Sequence, residues 1–148
     1  MANSVCDISL TNSPLGLPPD VLIAAKGATV DFWGVVRELE DDRKIEAIAY
    51  DANAAMAEHQ LRVIGEEAAA RFPLLRVMIH HRTGVVPVGE ASLLVRVQTS
   101  HRAAAFDASK WIVDELKRRV PIWKAPIFAH EKGDEKTADQ AKMESARS

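Results

Sequence analysis

A chain of 148 residues has room for one domain and is long enough to bury a core without disulfides or metal. With 47% hydrophobic and 27% charged residues and a formal net charge of -2, it has the composition of a soluble globular protein and no general attraction for nucleic acid or anionic membrane, so any anion site must be local. A single cysteine excludes an internal disulfide, no basic segment followed by a long apolar run opens the chain, and no span approaches transmembrane length, so the cytoplasm is the expected compartment.

Val5 to Leu10 alternate as a first strand does, with Cys6 packed in it, and Asn12 to Pro19 supply turn residues before a short helix around Asp20 to Ala25 that Gly27 ends. Ala28 to Val36 read as a central strand delivering Arg37 at its end. A guanidinium there can grip phosphate or carboxylate bidentately, or simply be solvated. A charged turn, Glu38 to Lys44, leads into a strand to Ala52, in which Ile45, Ala47 and Ala49 alternate with Glu46, Ile48 and Tyr50. Asn53 can cap a helix whose Met56, Leu61, Ile64 and Ala68 recur at helical spacing, a stripe that reads as core. Pro73 breaks that helix, Leu74 to His80 form a strand, and Gly84, Pro87 and Gly89 punctuate a turn-rich region before the strand Ser92 to Thr99. His80 and His81, adjacent on a strand, point to opposite faces and cannot easily share one ion, so no metal site is expected.

The stretch from Thr99 to Lys124 organises the rest. Ser100 is a candidate N-cap, and Ala105, Ala108, Ile112 and Leu116 recur as one buried helix face, leaving Asp107, Lys110, Asp114, Glu115 and Arg118 to water. His101 and Arg102 fall in the first turn, where the helix dipole disfavours a cation, so a bound anion explains Arg102 better than helix energetics do. Lys117, Arg118 and Arg119 suit the other end, Pro121 stops the helix, and Ile122 to Lys124 start a strand that carries Lys124 back beside it. Two lysines then converge. Lysines held near other cations and partly desolvated serve as general acid/base or amine nucleophile. From Glu131 the tail is charged and poor in apolar residues, so the reading divides the chain into a domain, 1–130, and a partly mobile tail, 131–148.

The run from His101 to Lys124 resembles the signature of the large, catalytic subunit of molybdopterin synthase: a Ser-His-Arg opening, then Ala-Phe, Leu-Lys and Pro-x-Trp-Lys. Upstream, His81-Arg82-Thr83-Gly84, Val88-Gly89-Glu90 and the segment from Phe32 to Arg37 are similar to the family's His-Arg-x-Gly, Val-Gly-Glu and Phe-x-Gly-x-Val-Arg elements. The residue order alone argues an α+β domain with helices packed on a mainly antiparallel sheet. The resemblance implies an α/β hammerhead-type fold. It also implies a homodimer that receives, at each end, a small ubiquitin-like sulfur-carrier subunit, giving a heterotetramer.

In that family the carrier inserts a C-terminal Gly-Gly thiocarboxylate, and two sulfurs pass to cyclic pyranopterin monophosphate to form the dithiolene of molybdopterin. No cofactor is implied, since the sulfur arrives on the partner. By resemblance Lys117 is the principal catalytic residue and Lys124 contacts the thiocarboxylate or substrate. His101 and Arg102 match an anion-binding pair acting across the dimer interface, and Val35, Val36 and Arg37 match a substrate-binding strand end, with Phe32 as pocket wall. Ala125 and Pro126 stand where the family has a basic residue and a glutamate, so they occupy substrate-binding positions without those side chains. The alternative reading is a non-catalytic paralogue that serves as a binding or assembly module for the ubiquitin-like partner. An anion- or nucleic-acid-binding domain is disfavoured, because no stacking aromatics alternate with basic residues along a strand.

Overall fold

The computed structural model describes residues 5–16 and 27–129. The expected helix around Asp20 to Ala25, the tail from Glu131 and the domain limit at 130 lie outside them. The described residues form β1 (Cys6–Thr11), β2 (Ala28–Val35), β3 (Leu39–Glu40), β4 (Arg43–Ala52), α1 (Ala54–Arg71), β5 (Leu74–Arg82), β6 (Gly84–Pro87), β7 (Ala91–Thr99), α2 (Arg102–Arg119) and β8 (Ile122–Phe128). One sheet has the order β1-β5-β7-β2, with β1 parallel to β5 and the other pairings antiparallel. The second is built around β4, which pairs antiparallel with β6 on one edge and β8 on the other, while its start folds back on β3. The architecture is the expected α+β one, and no helix among the described residues is long and apolar enough to cross a membrane.

Both helices lie against the first sheet. Asn53 caps α1, its side-chain oxygen accepting from the Met56 N–H at 3.1 Å. The buried face of α1 is Ala57, Leu61, Ile64, Gly65 and Ala68, which meets Val77, Ile79, Val95 and Val97 of β5 and β7 and the α2 stripe Ala105, Ala108, Ile112 and Leu116. Each fully buried Leu or Ile in this cluster contributes about 1.5–3 kcal/mol of transfer free energy. Met56 is a correction: it is 58% exposed, because Ala57, one residue on, is the position that sits four before Leu61 and seven before Ile64. Gly65 lets β1 approach α1, since a Cβ there would meet Ile8 Cδ1 at 3.3 Å and Cys6 Sγ at 3.4 Å. Cys6 is thus a packing residue, and burial pushes its thiol pKa up.

Three local differences from the sequence reading matter for the site. Residues Gly84–Pro87 form strand β6 rather than turn only, because Ala47 to Tyr50 of β4 offer that edge for pairing. Helix α2 is capped at His101, not Ser100, and the His101 side chain makes no capping hydrogen bond. Gly27, read as a helix end, lies where a Cβ would fall 2.1 Å from the Ser100 carbonyl oxygen, so its lack of a side chain lets the start of β2 pass the entry to α2. A second, smaller core of Val36, Ile45, Ile48 and Val86, with Tyr50, Val88 and Phe128 packed against it, fills the other sheet.

Candidate active site

Where the two sheets meet beside the C-terminal end of α2, they enclose an open cavity of about 500 Å³. Its cationic side chains come from three separated elements: Arg37 just after β2, Lys117 in the last turn of α2, and Lys124 in β8.

The position of Arg37 follows from the strand before it. β2 shifts register against β7 between Gly34 and Val35, and such an irregularity re-aims the residues that follow. A Cβ on Gly34 would meet Leu93 Cβ at 3.3 Å, so glycine suits the close approach of the strands. The Val36 N–H then donates to the Glu90 carbonyl at 3.0 Å, and the Gly89 N–H to the Val36 carbonyl at 2.9 Å. Gly89 adopts a positive φ of 87° in this turn, which only glycine does freely. Buried Arg82 holds the turn from behind, its Nη1 donating to Glu90 Oε1 at 2.8 Å. The His-Arg-x-Gly and Val-Gly-Glu elements therefore form a clamp that fixes the strand end, and Arg37 leaves it with its side chain 80% exposed.

Lys117 is exposed and makes no ion pair with another described residue. The α2 C-terminus that carries it is fixed by the Val120 N–H donating to the Leu116 carbonyl at 3.0 Å and by Arg119, which forms a two-pronged pair with Glu67 of α1 at 2.6 and 3.3 Å. That hydrogen bond from Arg119 holds the Glu67 carboxyl below its usual range. β8 brings Lys124 opposite Tyr50 of β4. Glu40 lies between the strand-end cations, 3.8 Å from Arg37 Nη2 and 4.0 Å from Lys124 Nζ, both at the outer limit of ion pairing. Lys124 is 58% exposed, so the desolvation expected for the two lysines is not supplied by this chain's described residues. A cavity with three exposed cationic donors on its rim can bind an anion and move protons to or from it.

Of the residues singled out in the sequence, Phe32, Val35, Val36, Arg37, Lys117 and Lys124 all line this cavity. His101, Arg102, Ala125 and Pro126 do not. His101 and Arg102 are exposed at the far end of α2, and the fifteen residues from Arg102 to Lys117 span about 22 Å of helix, so they cannot reach the cavity of their own chain. Ala125 and Pro126 pair with Ala49 and Ile48 within β8, leaving Lys124 as that strand's cationic contribution to the lining.

The sequence reading missed the cavity's inner wall. Tyr50, His81 and Ser92 line it, and the Tyr50 hydroxyl donates to Ser92 Oγ at 3.2 Å, which donates onward to the Gly34 carbonyl at 3.4 Å. The His81 ring meets Tyr50 edge-on, centroids 5.5 Å apart, and its Nδ1 lies 2.8 Å from the Arg82 carbonyl oxygen. Burial pushes the His81 pKa down, opposed by that backbone hydrogen bond. His80, on the other face of β5, turns instead to Asp7, its Nε2 3.3 Å from Oδ1. The signal was present in the period-two alternation of β5, which puts His81 on the same face as Val77 and Ile79, but nothing local said that a cavity opens there.

The family model described as MoaE protein matches residues 17–119, more than half of the chain. The molybdopterin synthase catalytic subunit of Pyrococcus abyssi is 43% identical over 104 residues, which cover 70% of this chain and 70% of that protein. The molybdopterin synthase catalytic subunit of Thermoplasma volcanium is 36% identical over 134 residues, 90% of this chain and 98% of that one. Among solved structures, that of molybdopterin synthase from Staphylococcus aureus superposes with a TM-score of 0.76 at 30% identity, covering 82% of this chain and 91% of the other. An α+β fold, a cavity rimmed by Arg37, Lys117 and Lys124, and relatives of this length and identity agree: the chain belongs to the MoaE family.

Proposed function

We propose that the chain is the catalytic subunit of a molybdopterin synthase, moving sulfur from the thiocarboxylated C-terminus of a small carrier protein to cyclic pyranopterin monophosphate. The observation that carries this reading is the convergence of Arg37, Lys117 and Lys124 on one cavity from three elements distant in sequence. Both reactants are anionic, a thiocarboxylate and a cyclic phosphate, and three cations suit them. Each transfer makes a substrate C–S bond in place of a C–O bond and leaves the carrier as a carboxylate, so it needs proton transfer and charge stabilisation rather than an electron donor. Lys117 acts as general acid/base or transient covalent partner. Lys124 holds the incoming carboxyl terminus and Arg37 the phosphate.

No cofactor enters this scheme. The 22 Å of helix between the two ends of α2 favours placing His101 and Arg102 in the cavity of a second copy, within a homodimer that carries two small subunits. The test is single-turnover conversion of cyclic pyranopterin monophosphate by the purified chain mixed with thiocarboxylated carrier. Molybdopterin formation is expected; a stable complex with the carrier but no product would instead make the chain a binding module.

A further inference from the structure

We infer that His81 is a further substrate-contacting residue, a neutral imidazole whose Nε2 accepts a hydrogen bond from an N–H of the heterocycle bound in the cavity. The inference rests on the proposed reaction for its substrate, and on the geometry of the inner wall for its chemistry.

A carbonyl oxygen can only accept, so the 2.8 Å contact with the Arg82 carbonyl requires that His81 Nδ1 carry the proton. In the neutral ring the other nitrogen, Nε2, is then a bare acceptor. His81 as a residue is 6% exposed, yet Nε2 is not among the fully buried polar atoms lacking a partner, and the cavity is the space its ring lines. Desolvation keeps the ring neutral, in line with this role. Tyr50 strengthens the pattern. Its hydroxyl hydrogen is committed to Ser92 Oγ, and that of Ser92 to the Gly34 carbonyl, so both oxygens offer only lone pairs to an occupant.

The cavity is therefore polarised. Its rim carries three donor cations, Arg37, Lys117 and Lys124, with the Glu40 carboxylate at the outer limit of pairing with two of them, and its inner wall, His81 Nε2 and Tyr50 Oη, presents acceptors. A ligand that fits both is anionic at one end and rich in N–H at the other. A reduced pterin fused to a cyclic phosphate has that distribution, so the wall sets its orientation, with nitrogen edge inward and phosphate toward the rim. A heterocycle presenting ring acceptors in place of N–H groups would face lone pair against lone pair and be rejected.

The experiment is equilibrium binding of cyclic pyranopterin monophosphate to the full chain and to His81→Phe and His81→Asn, with inorganic phosphate binding measured in parallel. His81→Phe is expected to weaken the pterin about tenfold, the scale of one lost hydrogen bond, and to leave inorganic phosphate unchanged because the rim is untouched. His81→Asn, whose amide can donate to the Arg82 carbonyl and accept from the ligand, should recover most of the loss. A readout on the unaltered protein is the ¹⁵N resonance of His81 Nε2, expected at the unprotonated position and displaced when the pterin is added. If the wild-type chain binds the pterin while His81→Phe binds it equally well, or the Nε2 resonance does not respond, the inference fails alone. If the folded wild-type chain binds no pterin, the proposed reaction fails and takes the inference with it.

Discussion

His81 sits at the junction of the two sheets, and its surroundings give the protein a pH-dependent weakness. Tyr50 faces its ring, and the charged groups that share the cavity are Arg37, Glu40, Lys117 and Lys124. Burial holds its folded-state pKa below the ordinary value of 6.5. Above neutral pH the ring is uncharged in both folded and unfolded chains, and its contribution to stability is complete. As pH falls through 6.5, the unfolded chain takes up a proton that the folded chain refuses, and stability declines until the folded group protonates too. The melting temperature should therefore fall between about pH 7.5 and pH 5, and His81→Asn should flatten the His81 share of that slope. A slope identical in wild type and variant would mean that the ring is not held neutral.

Among the elements, the hairpin between β3 and β4 carries a removable strain. Asp41 and Asp42 both have positive φ, 51° and 61°, the geometry of a tight two-residue turn that normally uses glycine. Aspartate tolerates this region better than most residues but still bears part of a penalty of about 1–2 kcal/mol. Asp42→Gly should raise stability by a few tenths to about 1 kcal/mol, the relief being partly offset by the freer unfolded chain. Chemical denaturation measures it, and a lower midpoint would show that the Asp42 side chain contributes more than the backbone strain costs.

The same elements mark how far the sequence could be read. All four residues of the α2 stripe, Ala105, Ala108, Ile112 and Leu116, are buried as periodicity requires, and the Asn53 cap is where local chemistry puts it. Arg37 and Lys117 were legible because each sits near an element's end, and Lys124 because it follows Pro121 closely in the strand after α2; at all three, pattern and resemblance coincide. β6 was not, because Gly84 and Pro87 look like turn residues and only the open edge of β4 makes them a strand. Tyr50, His81 and Ser92 escaped for a related reason. Each has an ordinary place on a strand, and they become one wall only when two sheets with distant sequence come together.

At the level of the whole molecule, one chain leaves the basic side chains singled out by the resemblance in two groups. Lys117, Lys124 and Arg37 share a cavity, whereas His101 and Arg102 stand about 22 Å along α2, exposed and unpaired with any described acid. If the second group serves the cavity of a second copy, Lys117→Ala and Arg102→Ala chains, each impaired alone, should complement when mixed. Random reassortment makes half the dimers mixed, each with one intact site, so activity should return to roughly a quarter of wild type. No recovery, despite subunit exchange verified by mass, would confine each site to one chain.

The most direct test of sulfur transfer in this cavity is the single-turnover rate of Lys117→Ala with thiocarboxylated carrier, read beside the affinity of the same variant for the carrier. Lys117 lies on the rim in no ion pair with a described residue, so its removal should leave the fold and the carrier complex intact. The rate should fall at least about 100-fold, as loss of a positioned acid/base group does. Turnover close to wild type with unchanged carrier affinity would contradict the assignment and move the chemistry away from Lys117.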